Sequence, residues 1–291
     1  MRGAVAGTEV KRSSIEVMRR FSVPMAAVLG AGILLGCGSK SSAPGPYVPP
    51  GTNPPNPTAT GNWQITFTPT SGATLFPTLS GYLKDDESDT PPSPFTTAEM
   101  TAYASSGCFV GRNSIFLYGN INGADLPMNS SSVNGQFLSI DATLDATSSN
   151  LTGTYKVNGG CANGAAGTMT GFRVSTISGT YTGSTQGAST ALNLQLSLQQ
   201  NSFGNGNGYF EFSGSASVTG ISCFGSGTIV PASSLVTGTS LQLTFSTSDP
   251  SGAQLVMTGT VNAAANTLTI SGIQVTAGSC SGTYGTASLK L

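Results

Sequence analysis

From Leu192 to Leu198 every second residue is leucine, with Asn193, Gln195 and Ser197 between them. A period of two puts all four leucines on one face of an extended strand and the polar residues on the other. Leu241, Leu243 and Phe245 repeat the alternation, and Phe210 and Phe212 flank Glu211 in the same way. Such runs end at Asn134-Gly135, Asn158-Gly159 and Asn207-Gly208, where both residue types accept the positive φ of tight hairpin turns. Glycines inside strand patterns, namely Gly153, Gly171, Gly214, Gly259 and Gly272, mark bends or bulges where a sheet curls. One helical turn is predicted near Thr96 to Tyr103, because Thr96-Thr97-Ala98-Glu99 has the spacing of a capping box. The pattern otherwise predicts an all-β fold of antiparallel meanders, closed as barrels in preference to sandwiches, with strand order left open.

The cysteines suggest that this pattern occurs twice. Cys108 precedes Cys161 by 53 residues, and Cys223 precedes Cys280 by 57. Cys108-Phe109-Val110-Gly111 aligns with Cys223-Phe224-Gly225, and Gly164-Ala165-Ala166-Gly167-Thr168 aligns with Gly282-Thr283-Tyr284-Gly285-Thr286. Between them, Gly135-Gln136-Phe137-Leu138-Ser139-Ile140 is set against Gly238-Thr239-Ser240-Leu241-Gln242-Leu243. These matches predict a duplicated β domain at 62–175 and 176–291, about six to eight strands each. Four cysteines allow three pairings. The matched spacing selects Cys108 with Cys161 and Cys223 with Cys280, each closing a loop worth about 4 kcal/mol in the chain-entropy model.

Ahead of the β-rich body, Met18-Arg19-Arg20 is followed by the apolar span Phe21 to Ile33 and then by Leu34-Leu35-Gly36-Cys37. Charged, apolar and small-residue regions in that order make an export signal. The span is shorter than the ~20 residues that cross a bilayer as a helix. The segment 18–37 resembles the signal and lipobox of bacterial lipoproteins. That resemblance implies that Cys37 takes a diacylglyceryl group on its sulfur, that 1–36 is removed, and that the new amine is acylated. Two or three acyl chains, at ~0.8 kcal/mol per buried methylene, would make the attachment stable. Glu9 and Glu16 are unusual before the basic pair, so Met18 is expected to be the true start. By the same analogy Gly38, in place of aspartate, permits passage to the outer membrane of a Gram-negative-type bacterium. The body beyond resembles no characterised family, only uncharacterised β-rich envelope lipoproteins.

Gly38 to Gly61 contains Pro44, Pro46, Pro49, Pro50, Pro54, Pro55 and Pro57. Proline fixes φ and removes amide donors, so 37–61 is expected to be a lipidated cysteine with an extended tether. In polyproline geometry, at ~3.1 Å per residue, it would reach up to about 75 Å. An exported chain meets an oxidising compartment, in agreement with four cysteines read as two disulfides.

Charge and residue chemistry narrow the function classes. Beyond Cys37 stand six basic and ten acidic residues, and no basic stripe suits a nucleic acid. The chain has no histidine, which removes the usual nucleophile–base pairs and the commonest general base near neutral pH. Asp141 and Asp145 fall on one strand face about 13 Å apart at ~3.3 Å per residue, wider than the ~5–9.5 Å of glycoside hydrolysis. No enzyme and no cofactor are expected. Asp85, Asp86, Glu87 and Asp89 form the one weak calcium candidate, with hard oxygen ligands but neither the glycine nor the final glutamate of an EF-hand loop. A solvated insertion before Pro91, Pro92 and Pro94 is the plainer reading.

Three function classes remain: a membrane-anchored protein presenting its β domains to a glycan or an envelope protein, a lipocalin-like carrier with Phe116, Tyr118, Phe137 and Tyr155 lining a pocket, and a structural spacer. A roomy apolar cavity would favour the carrier. A solid core with exposed aromatic rings would favour the binder, and converging carboxylates would revive an enzyme.

Overall fold

Strands with one apolar face bury that face by curling until the sheet closes on itself, which also removes its open edges. The computed structural model describes residues 58–71, 78–86, 96–104, 108–109, 114–247 and 252–291, all within the compact unit Asn53–Leu291. Among these residues the fold is all-β.

The first barrel runs β1 (Gly61–Ser71), β2 (Thr78–Asp86), β3 (Thr96–Ala104), β4 (Ile115–Ile121), β5 (Asp125–Ser130), β6 (Phe137–Leu144), β7 (Asn150–Asn158) and β8 (Ala166–Val174). Each strand pairs antiparallel with the next, and β8 returns to β1 with Asn62 opposite Val174. Trp63, Ile65, Leu79, Leu83, Leu117 and Met128 are fully buried inside it. The Trp63 indole N–H donates to the Ala59 carbonyl at 2.7 Å, closing the end where the chain enters. The segment at Thr96 is strand, not the helical turn that its capping-box spacing suggests. Thr97 faces Asp86 on one side and Asn120 on the other, so two neighbouring strands claim the backbone hydrogen bonds that a helix would have used.

The second barrel runs β9 (Ser178–Gln186), β10 (Asn193–Gln200), β11 (Phe210–Thr219), β12 (Ser226–Ile229), β13 (Leu235–Thr237), β14 (Ser240–Ser246), β15 (Gln254–Val261), β16 (Thr267–Thr276), β17 (Gly282–Thr283) and β18 (Thr286–Lys290). Its fourth wall position is split. β12 and β13 both pair with β11 and with β14, on either side of a 3-10 turn at Pro231–Ser233. β18 pairs with β9 and β10 with β11, so the ring closes with eight wall positions, and β17 lies beside β16 off that path. Leu192, Leu194, Leu196 and Leu198 all point inward.

Both disulfides occupy the same place in their rings. Cys108–Cys161 and Cys223–Cys280, with Cα atoms 5.8 and 6.0 Å apart, each join the connection after the third wall strand to the connection after the seventh. The phenylalanine after each first cysteine, Phe109 or Phe224, is buried. The turns after β6 and β15 are also equivalent. Asp145 Oδ1 accepts the Ser149 and Asn150 N–H groups, and Asn262 Oδ1 accepts those of Asn266 and Thr267. Ser148 and Ala265 hold φ of 53° at the same step. In the first turn the Asn150 side-chain amide and the Ser149 N–H hold the Asp145 carboxyl well below the usual carboxylate range. This duplication corrects one stretch of the sequence alignment. The turn at Gly238 corresponds to Gly123, between the fourth and fifth wall strands, and not to Gly135. Thus Leu144 N–H donates to Ala124 O where Val261 N–H donates to Thr239 O. Short Gly-rich turns resemble one another closely enough to slip the register by one strand.

The second barrel stands end-on against the side wall of the first. Tyr82, outward on β2, enters the hydrophobic cluster of the second barrel and meets the Phe210 ring edge-on, with centroids 5.0 Å apart. Asn62 and Gln64, outward on β1, are nonetheless buried. The Asn62 side-chain amide donates to the Gly238 carbonyl at 2.8 Å and accepts its N–H at 2.6 Å, while Gln64 Oε1 accepts from Ser80 Oγ and Thr239 N–H. Gly238, at φ 53°, is closely covered, since an added Cβ would stand 2.3 Å from Gln64 Oε1 and 2.8 Å from Ser80 Cβ and would force both to shift.

Trp63 is the only tryptophan and reports the first barrel alone. Replacing Cys223 and Cys280 by serine removes a cross-link worth roughly 2–4 kcal/mol from the second. Because each barrel buries groups of the other, the urea midpoint read by Trp63 fluorescence should fall in that variant. An unchanged midpoint would mean that the two barrels unfold independently.

Candidate functional site

An eight-stranded barrel is just wide enough for side chains to fill it or for one small ligand to sit inside. Here side chains occupy the centre. Trp63, Met100, Leu117, Met128, Leu138 and Met169 meet in the first barrel, and Tyr181, Phe212, Leu243, Phe245, Met257 and Leu268 in the second.

Of the four aromatic residues read as pocket-lining, only Tyr155 points inward, and its ring packs on Phe67 at 4.8 Å. Phe116, Tyr118 and Phe137 are 37, 53 and 49% exposed. They project from the outer face, where Phe116 and Tyr118, alternate residues of β4, hold nearly parallel rings with centroids 6.5 Å apart. Phe203, on the loop between β10 and β11, is 73% exposed.

Of these exposed rings, Phe116 borders a cleft of about 330 Å³ where the barrels meet. From the first barrel, Tyr82 and Lys84 of β2, Glu99 and Thr101 of β3 and Phe116 of β4 line it. From the second come Gly204, Asn205 and Gly206. Strand register places these side chains together. Lys84 stands opposite Glu99, Glu99 opposite Tyr118, and Thr101 opposite Phe116. The loop wall is braced from within, because Asn205 Oδ1 accepts the N–H groups of Asn207 and Tyr209, both at 3.1 Å. Gly208, predicted as a hairpin turn, holds φ 81° and lies so close to the Thr101 carbonyl that a Cβ would stand 2.2 Å from it.

Beside the cleft Tyr103 of the first barrel meets Tyr209 of the second, with ring centroids 4.7 Å apart. Burial, reinforced by a hydrogen bond with Tyr209, pushes the Tyr103 phenol up to about 12. Burial raises Tyr82 as well, with the Asp85 carboxylate adding to it.

The other candidates from sequence are dispersed. Asp85 is engaged internally, its carboxylate accepting from the Ala59 N–H and the Thr60 hydroxyl, so it fastens the incoming chain to β2. Asp86 lies in β2, and the Glu87 and Asp89 part of the calcium candidate falls outside the described residues, as do Leu34, Leu35, Gly36 and Cys37. Among the described residues no three acidic, cysteine or histidine side chains group to hold a metal ion. Asp141 is exposed on β6, whereas Asp145 is bound into its turn. Clefts of about 500 and 380 Å³ on the second barrel are lined mainly by hydroxyl, amide and glycine groups on its outer wall. No family model, no curated protein and no solved structure matches this chain.

The raised Tyr103 fixes the sign of a pH effect at the junction. Below pH 10 both folded and unfolded chains keep the phenol protonated, and its contribution to stability is complete. Between pH 10 and about 12 the unfolded chain loses the proton first, and the contribution fades. Tyr103→Phe keeps the ring against Tyr209 and removes the titrating group. Its urea midpoint should therefore fall less steeply across that pH window than that of the unaltered protein.

Proposed function

We propose that this chain is a lipid-anchored protein of the bacterial envelope whose paired barrels form a rigid binding head. The buried side chains inside both barrels, together with the exposed Phe116 ring at the junction cleft and Tyr118 beside it, support the binding half of this reading. They favour a reading in which the accessible chemistry lies on the outer surface. A carrier would need a vacancy at the positions taken by Met100, Leu138 and Met169 in one barrel and by Phe212, Phe245 and Met257 in the other.

The anchoring half rests on Leu34-Leu35-Gly36-Cys37 after the basic pair and apolar span. It is supported by two disulfides in the body, a feature of proteins that mature outside the reducing cytoplasm. Acyl chains on Cys37 would hold the protein at the outer membrane, and the proline-rich segment up to Gly61 would carry the head away from the lipid. The partner belongs to the envelope or its surroundings, as a glycan or another envelope protein, and not to the nucleic acids, given the small negative charge of the body. With no histidine and dispersed carboxylates, the reading is binding and not catalysis.

Cys37→Ser tests the anchor. The variant should accumulate as an uncleaved precursor without acyl mass and leave the outer-membrane fraction. A mature, lipid-bearing form of that variant, seen by mass spectrometry, would refute anchoring through Cys37.

A further inference from the structure

We propose that the junction cleft and the adjoining Phe116–Tyr118 pair form a saccharide-binding subsite that takes a pyranose unit of a glycan. This rests on the outer-surface reading and names its ligand class. The subsite has two kinds of surface side by side. Phe116 and Tyr118 offer exposed rings, whose negatively polarised faces attract the weakly positive axial C–H groups of a pyranose. Glu99 and Thr101 on the adjoining β3 and Lys84 on β2 beyond it supply donors and acceptors for its hydroxyls. A pyranose has that same division, one face of C–H groups and a rim of hydroxyls.

The charge pattern agrees with this ligand. One cation and one anion face each other across β2 and β3, so the cleft has no net preference for phosphate or for an organic cation. Further out on the same face, the row from Tyr118 continues through Asn129 and Ser139 to Lys156, which extends a polar track along which a longer chain could lie. The cleft volume of about 330 Å³ falls at the lower end of the range of roughly 300–1,000 Å³ used for small ligands. A protein partner would need an apolar centre within about 800 Å² of surface on each side, and two rings set among hydroxyls and opposite charges do not provide it.

The second barrel completes the subsite without contributing a side chain of its own. The Asn205 side chain is committed to bracing the loop, so Gly204 and Gly206 present bare backbone to the cleft. Gly204 is held against the Tyr82 ring, where a Cβ would stand 2.5 Å from it. At Gly206 an added Cβ meets nothing within 4 Å. Gly206 lines the cleft, so a bulky side chain there should narrow it at little cost to the fold.

The test uses the full-length lipidated protein in detergent on an array of hexose and N-acetylhexosamine oligosaccharides. At least one pyranose oligosaccharide should be retained. Phe116→Ala and Gly206→Leu should each weaken that binding by tenfold or more, and Ser197→Ala, on the outer wall of the second barrel and outside the cleft lining, should leave it unchanged. Undiminished binding in both cleft variants would overturn the subsite while leaving the outer-surface reading intact. Retention of no oligosaccharide would overturn the ligand class. Native mass spectrometry of the same preparation separates the deeper failure, since one tightly held apolar small molecule per chain would place binding inside a barrel and sink the outer-surface reading itself.

Discussion

Tyr82 sealing the end of the second barrel is the contact on which the arrangement of the head depends. A filled barrel has no open sheet edge, but it has two ends at which apolar side chains meet water. At one end of the second barrel that surface is covered by the side wall of the first, with Tyr82 against Phe210 and Val174 and Ile177 in the same cluster. Hydrogen bonds from Asn62 and Gln64 to the turn at Gly238 and Thr239 surround the ring. Each is worth about 1 kcal/mol net, but their geometry fixes the angle at which the barrels meet. That angle holds the loop with Gly204 against Tyr82 and Gly208 against Thr101 and so makes the cleft.

The opposite ends are held covalently. In each ring the disulfide spans the connections after the third and seventh wall strands, next to a buried phenylalanine. In the first barrel Gln136 runs parallel to the cross-link. Fully buried, it donates to the Cys108 carbonyl at 2.8 Å and accepts the Ala162 N–H at 2.9 Å, tying together the same two connections. In the second, the Tyr284 hydroxyl donates to the Cys280 carbonyl. A body with few charges secures its ends with neutral amides and hydroxyls, whose bonds are less sensitive to salt than ion pairs.

Alternation made the second barrel easier to read than the first. In Leu192 to Leu198 one parity is apolar and the other polar, so the inward face is determined and the structure follows it. Ile115-Phe116-Leu117-Tyr118 is apolar at both parities, and periodicity alone does not say which pair faces the core. That double parity was the available sign of a strand with one face in a core and exposed aromatic rings on the other. Asn62 and Gln64 show the opposite limit. Their polar parity marks them as outward, as they are, but the barrel that covers them belongs to residues more than a hundred positions away. Cysteine spacing carried the pairing correctly because both copies keep the disulfide at the same wall positions. The turn glycines misled the alignment because Gly123, Gly135 and Gly238 share a positive φ, and only Gly238 is covered by neighbours.

The two copies diverge at the places that build the cleft. A Cβ on Gly123, in the first barrel, would meet nothing within 4 Å, whereas at the equivalent Gly238 it would strike Gln64 and Ser80. One turn is a free surface and the other a docking element. The fourth wall strand differs in the same direction. In the first barrel it is the unbroken β4, whose outer parity carries Phe116 and Tyr118, whereas in the second it is interrupted at Pro231–Ser233. The interruption falls between β12 and β13, and β13 leads directly into the docked turn at Gly238. Duplication supplied two equivalent rings, and the differences between them assign one ring the aromatic wall and the other the parts that press against it. Neither ring alone encloses the cleft, so a chemistry located there belongs to the pair.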